Sequence, residues 1–547
     1  MSITESHRSL LKKIGHFKPH PRVKNISIPE FVANAGGLVN RIPVVNFLHY
    51  VSNLGANDEI DSKGYVVRNG EIVYSIHGLA TVISIYLANI HSSPKTIAYY
   101  LKNEKRDRLN VFESLLFYNS STDPRKDLDN SYFERFHQIA VPTFYLQEKL
   151  KTSGYKLLVR PAALLAYLPS SDESLAPPKP LSDYVVQRYG VELCDLPHCL
   201  FSLWAATNST GNEFIWEHTF VNIHSWKSTV LKRFLERNAL SIEGYKEVFA
   251  NSAVSSYNIQ ANIPVLFANP ILRVGEGVYS IPIPKLLFLY FEEHFYWDCF
   301  DYFKKINNQA DNDFTRWYGK VFEEYCWQIL KSVSNGAISD LRSLEKDSIP
   351  GPDCAEITSS STTFFEFKVR RPKREDLISW GKDSKESLKK YLRDDHVDQF
   401  LRFSAKYKSL GQSHPLFPEL SKTRRVQFVV ITPISIYVNT YIQKEKWFET
   451  ELAEIGRNLG LKKPVQLIYG SVEDLESISK KGAGVYPGIM WKQYVSSADF
   501  FPMLSFNEWH LSHGKRDGEN PYLGKTIEQI FGDTMRDLNF KRKTASL

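Results

Sequence analysis

A chain of 547 residues with 43% hydrophobic and 24% charged residues has apolar material for roughly two to four domains. Its Gly and Pro shares are ordinary, which excludes collagen-like and wholly disordered classes. A formal charge of +7 is compatible with a polyanionic partner without singling one out.

The five cysteines (Cys194, Cys199, Cys299, Cys326 and Cys354) are scattered and odd in number, which reads as reduced thiols rather than a disulfide framework. The opening MSITESHRSLLKKIG has no apolar export core. Apolar runs such as 286–291 and 426–431 fall far short of the about 20 residues a membrane span needs. A soluble cytoplasmic protein is the expectation.

Two polar stretches read as seams, Leu168–Pro180, where Ser and Pro disfavour helix, and Lys304–Asp313. Residues 1–305 read as a mixed α+β region with a recognition or regulatory role. Asn69-Gly70 between β-rich flanks predicts a hairpin, because both turn residues need positive φ. A helix follows over 77–90. Gly275-Glu276-Gly277 predicts a second hairpin, and 285–303 an aromatic-rich helix. Cys194 and Cys199 with His218 and His224 have irregular spacing for zinc. Gly36-Gly37 lacks a phosphate-loop pattern.

Beyond the second seam the order becomes specific. Apolar residues at 314, 317, 318, 321, 322, 325, 329 and 333 recur at helical spacing. Short strands are predicted at 337–342, 354–358 and 362–369, then a long helix over 384–408. A buried strand at 425–432, a helix over 441–459, a strand at 464–469 and a helix at 471–480 complete the series. The fold class expected is α/β, with a mixed sheet flanked by helices.

Two segments in this region carry chemistry, Gly351-Pro352-Asp353 and Phe365-Glu366-Phe367-Lys368. Side chains alternate along a strand, so Glu366 and Lys368 share a face while Phe365, Phe367 and Val369 enter the opposite core. Charged groups there are costly to bury without partners. Paired as a hairpin, the two strands would bring Asp353 to the same face. Two carboxylates from neighbouring strands make a hard-oxygen site suited to Mg²⁺ or Mn²⁺, and an adjacent ammonium can orient water and offset phosphodiester charge.

These residues resemble the PD-(D/E)XK nuclease superfamily, the restriction-endonuclease-like fold. The likeness covers Pro352-Asp353, Glu366-Phe367-Lys368 and the preceding helix with Gly319-Lys320-Val321-Phe322-Glu323. Gln399, on the following helix, resembles a glutamine seen in several branches. The resemblance implies that Asp353 and Glu366 ligate the metal, assisted by the Phe367 backbone carbonyl, and that Lys368 positions or activates water. It also implies that Glu323 or Glu324 completes the site. Helical periodicity cannot choose between them, and the Gly-x-x-Phe-Glu pattern favours Glu323.

Residues 306–547 would then be the nuclease domain with a C-terminal extension. From Lys368 to Lys408, 13 basic residues stand against seven acidic ones, a patch that would hold phosphates or simply face solvent. The expected partner is nucleic acid, DNA before RNA, with a role in restriction or antiphage defence on the resemblance alone. Alternatives are a catalytically silent nucleic-acid-binding or scaffold protein and an RNA-directed nuclease. A regulatory partner, silencing by residues 1–305 and homo-oligomers stay open.

Overall fold

The computed structural model describes residues 65–68, 71–89, 159–209, 214–216, 228–251, 265–284, 286–307, 312–334, 338–342, 351–372, 382–410, 425–436, 438–443 and 445–478, with scattered positions in 34–51, 106–115 and 487–532. It is a mixed α/β protein. Two compact units divide at Phe314 and Thr315; the second comprises Ser171–Leu175 and Thr315–Gln529. No described helix is long and apolar enough to cross a membrane.

In the first unit, strands Phe214–Trp216, Val278–Ser280, Leu272–Gly275 and Leu240–Ser241 lie in that order in one sheet. A separate antiparallel pair, Tyr65–Arg68 with Glu71–Ser75, flanks the Asn-Gly dipeptide, which itself lies outside the described residues. The hairpin at 275–277 turns on Gly277, whose φ of 62° suits a residue without a Cβ. The helix Ile76–Asn89 buries Leu79, Ile83 and Tyr86. The predicted aromatic helix is three pieces: Leu286–Leu289, a π-helical turn Tyr290–Phe295 and Tyr296–Asn307.

The stretch 168–180 is more helical than its composition predicts. A helix spans Leu168–Ser171, and another spans Lys179–Tyr189 with Pro180 in its first turn. Proline is tolerated there because the amide it lacks has no intrahelical partner anyway. Within the second unit, the Trp317 indole N–H donates to the Leu175 carbonyl at 2.8 Å.

All but the first two residues of α1 (Asp313–Val333) belong to the second unit, and its apolar positions are buried as their spacing predicts. Asp313 in its first turn and Lys331 in its last suit the helix dipole. Then come β1 (Ile338–Asp340), β2 (Cys354–Ile357) and β3 (Ser361–Phe367). Helices α2 (Lys382–Leu392) and α3 (Asp398–Leu410) are joined by a π-helical turn, Arg393–Val397, in place of the uninterrupted helix predicted. After them lie β4 (Arg425–Thr432), α4 (Asn439–Gln443), α5 (Glu449–Asn458), β5 (Gln466–Ser471) and α6 (Val472–Ser477). The single helix predicted over 441–459 is broken, because Lys446 and Phe448 adopt positive φ, a conformation no helix can include. Ser471 caps α6 in a reciprocal capping box with Asp474.

The sheet order is β5-β4-β3-β2-β1. Strand β4 runs parallel to both β3 and β5, whereas β2 is antiparallel to its neighbours. Register assigns the faces. One carries Ala355, Phe364, Glu366, Phe428, Val430 and Tyr469; the other carries Cys354, Glu356, Thr363, Phe365, Gln427 and Val429. The α2–α3 helices cover the first face, with Phe400 stacked on Phe428 at 4.2 Å and Phe403 edge-on to Phe364. Trp491 meets Phe365 on the other.

Candidate active site

Strands β2 and β3 pair with Cys354 opposite Phe365, so Asp353, one residue earlier, falls beside Glu366. The main chain confirms the adjacency: the Asp353 amide donates to the Phe365 carbonyl at 2.9 Å. In return the Phe367 amide donates to Asp353 Oδ2 at 2.6 Å. This bond fixes the Asp353 carboxylate against the main chain that carries Glu366 and Lys368.

Glu366 is 2% exposed, and its Oε1 accepts from two donors. Lys368 Nζ lies 2.6 Å away and Gln399 Nε2 lies 3.0 Å away. Gln399 also donates to the Gly351 carbonyl at 3.2 Å. It thus ties Glu366 to the loop that presents Asp353. The Lys368 side chain is part-exposed, so it is not turned into the hydrophobic interior. The opposite parity is apolar as predicted, with Phe365 and Phe367 buried.

The electrostatics of this corner are unusual. Burial pushes the Asp353 carboxyl well above the usual range, and the nearby charges of Glu366 and Glu323 add to it. Burial acts on Lys368 in the sense of lowering its pKa, but Glu366, Asp353 and Glu323 outweigh it and hold the ammonium above its ordinary value. Lys368 is therefore a firm cation. It can attract a phosphate or hold water.

The two glutamates differ in their surroundings. Glu324 bonds Gln328 and makes a 2.7 Å ion pair with Arg342. Glu323 instead acts on both Asp353 and Lys368 through its charge. Glu323→Gln is expected to lower any activity of the site about 10- to 100-fold, as removal of a supporting charge commonly does. Glu324→Gln is expected to leave activity alone and cost at most about 1 kcal/mol, because its ion pair is part-exposed. Paired activity and urea-melting measurements separate the two.

Sequence periodicity does not reveal the π-helical turn beside Lys368. His396 on that turn is buried, with Nδ1 2.8 Å from the Tyr469 hydroxyl. Burial and the charges of Lys368 and Arg370 hold its pKa down to about 3, so it stays neutral. Asp395 on the same turn pairs with Arg370. The only trace of that turn in the apolar spacing is the five-residue step from Leu392 to Val397, both buried.

Behind the sheet lies another unpredicted group, Glu356. Its Oε2 accepts from the Gly488 amide at 2.8 Å, and burial raises its carboxyl to about 7. Gln427 bridges Thr363 and the Gly488 carbonyl alongside it.

Among the described residues, no three of His, Cys, Asp and Glu are grouped to hold an ion by themselves. The basic run is partly engaged within the unit: Lys385 pairs with Glu445 and Arg393 with Glu451. Lys373, Arg374, His218, His224, Gly36, Gly37 and the basic residues 541–543 lie outside the described residues. Cys194 is exposed and Cys199 buried. The chain matches no protein-family model, no curated protein and no solved structure.

Proposed function

We propose that the second unit is a metal-dependent nuclease of the PD-(D/E)XK kind, hydrolysing phosphodiester bonds in nucleic acid. The observation that carries this reading is the meeting of Asp353, Glu366 and Lys368 at one corner of two paired strands. DNA ranks before RNA as substrate, on the resemblance of the motif alone. The restriction-endonuclease-like arrangement is part of the same proposal.

The residues fit a divalent cation. Asp353 is a buried carboxyl whose pKa is raised partly by two neighbouring carboxylates, and a cation would relieve that repulsion. Mg²⁺ commonly takes one or two carboxylates and completes its shell with water and substrate oxygens. Asp353 and Glu366 would be the side-chain ligands, with the Phe367 carbonyl assisting and Glu323 contributing charge. A bound Mg²⁺ or Mn²⁺ would supply acidified water and neutralise developing charge.

The chain's own groups have distinct tasks. The Phe367 amide orients Asp353, while Gln399 holds Glu366 against the Gly351 loop. Lys368, kept cationic, orients the attacking water and offsets charge on the phosphoryl oxygens. Its ammonium lies 2.6 Å from Glu366 Oε1, a contact it would exchange in part for a phosphoryl oxygen.

The test is incubation of the full-length protein with plasmid, linear duplex, single-stranded DNA and tRNA, with Mg²⁺ or EDTA. Cleavage of at least one is expected with Mg²⁺ and none with EDTA. Lys368→Ala is expected to be slower by about 10³-fold. Binding without cleavage of any of them would favour a catalytically silent binding protein.

A further inference from the structure

We infer that Arg370 is a substrate-contacting residue, a guanidinium held ready for a backbone phosphate beside Lys368, with Asp395 as the positioning residue that holds it. The inference rests on the nuclease reading and adds a contact that the Asp/Glu/Lys motif does not contain.

Arg370 lies two positions beyond Lys368, where the chain has left β3. Its main chain is fixed there, because the Tyr391 hydroxyl donates to the Arg370 carbonyl at 2.7 Å. The guanidinium lies over the Tyr391 ring, 5.9 Å from its centroid. It bonds Asp395 Oδ1 through Nη1 alone, at 2.5 Å. Among the described residues its Nε and Nη2 have no protein partner, and the side chain is 67% exposed.

Arg342, in the same unit, shows what a structural arginine looks like. Its Nε and Nη2 grip both Asp340 oxygens at 3.1 and 2.7 Å, its Nη1 takes Glu324 at 2.7 Å, and it is 25% exposed. Every nitrogen of that fork is used. Arg370 is tethered at one corner and leaves Nε and Nη2, the edge that matches two oxygens of a phosphate, unclaimed.

Asp395 holds Arg370 at a single point. The π-helical turn at 393–397 presents it, and its Oδ2 is buried without a hydrogen bond among the described residues. Burial raises its carboxyl despite the opposing charges of Arg370 and Lys368, so a single-point bond to Arg370 compensates it incompletely. Those same charges place Asp395 within electrostatic reach of Lys368. Lys385 and Arg393 of the same basic run are instead paired, Lys385 with Glu445 and Arg393 with Asp398 and Glu451.

The experiment uses the full-length chain and a fluorescein-labelled copy of whichever nucleic acid wild type cleaves. Binding is followed by anisotropy in EDTA across a salt series. Arg370→Ala is expected to bind about tenfold more weakly and to flatten the salt dependence by about one charge. Arg370→Lys keeps the salt dependence but recovers only part of the affinity, since a point charge lacks the fork. Asp395→Asn frees the guanidinium and binds a few-fold tighter, and that gain shrinks when Arg370 is also Ala. Unchanged affinity and salt dependence in Arg370→Ala would overturn the inference, as would an Asp395→Asn gain that survives intact without Arg370. If wild type cleaves nothing, it is the nuclease reading that has failed.

Discussion

Asp353→Asn is expected to lose cleavage by about 10³-fold or more while melting at a higher temperature than wild type. The two effects share a cause. Burial, Glu366 and Glu323 raise the Asp353 pKa in the folded state. A carboxyl raised in this way favours folding below its unfolded pKa, and that contribution is lost as pH rises through the folded value. Near neutrality Asp353 therefore works against the fold. Asparagine cannot ionise, and its side-chain oxygen can still accept from the Phe367 amide. A gain on the order of 1 kcal/mol is typical where a strained functional group is removed, about 2–4 °C for a unit of this size. The gain should fade as pH falls toward the unfolded carboxyl's pKa and vanish below it, where folded and unfolded chains are protonated alike. Thermal melting at neutral and acid pH, run beside the cleavage assay, checks both halves. A lower melting temperature at neutral pH would mark Asp353 as a structural group.

Gly488→Ala should be strongly destabilising for the second unit. A Cβ there would lie 2.0 Å from Thr363 Oγ1, 2.6 Å from Thr363 Cβ and 2.8 Å from Glu356 Oε2. None of these can retreat easily. Thr363 is part of β3, and Glu356 is bonded to the very amide of Gly488. The Gln427 side chain closes the other side by donating to the Gly488 carbonyl. A loss of at least about 3 kcal/mol is expected, at the upper end for overpacking, because the wedge also breaks bonds to a buried carboxyl. Activity should fall too, since Thr363 and Glu366 lie on the same strand three residues apart. Urea unfolding measures the effect, and a change under about 1 kcal/mol would mean that the segment around Gly488 is not seated on this sheet.

Much of the second unit was legible because its elements obey simple periodicities. The α1 face follows helical spacing, the apolar run of β4 marks a strand buried on both sides, and the alternation in β3 puts Glu366 and Lys368 on one face. Asp353 was legible through the short connection between β2 and β3. What escaped depends on contacts remote in sequence. Glu356 reads as an ordinary strand residue, and only the approach of Gly488 makes it a buried carboxyl with an altered pKa. The break at Lys446 and Phe448 also escaped, since neither residue type favours positive φ. Helical spacing could not separate Glu323 from Glu324, which differ in what they face: Arg342 in one case, the Asp353 corner in the other.

The central claim is that Asp353 and Glu366 share a divalent ion. Mn²⁺ titration of the full-length protein, followed by the loss of the free-ion EPR signal, addresses it without relying on any substrate. Wild type is expected to take up about one ion per chain, with affinity at least about tenfold weaker in Asp353→Asn and in Glu366→Gln. Uptake by wild type that both variants match, or no uptake at all, would contradict it.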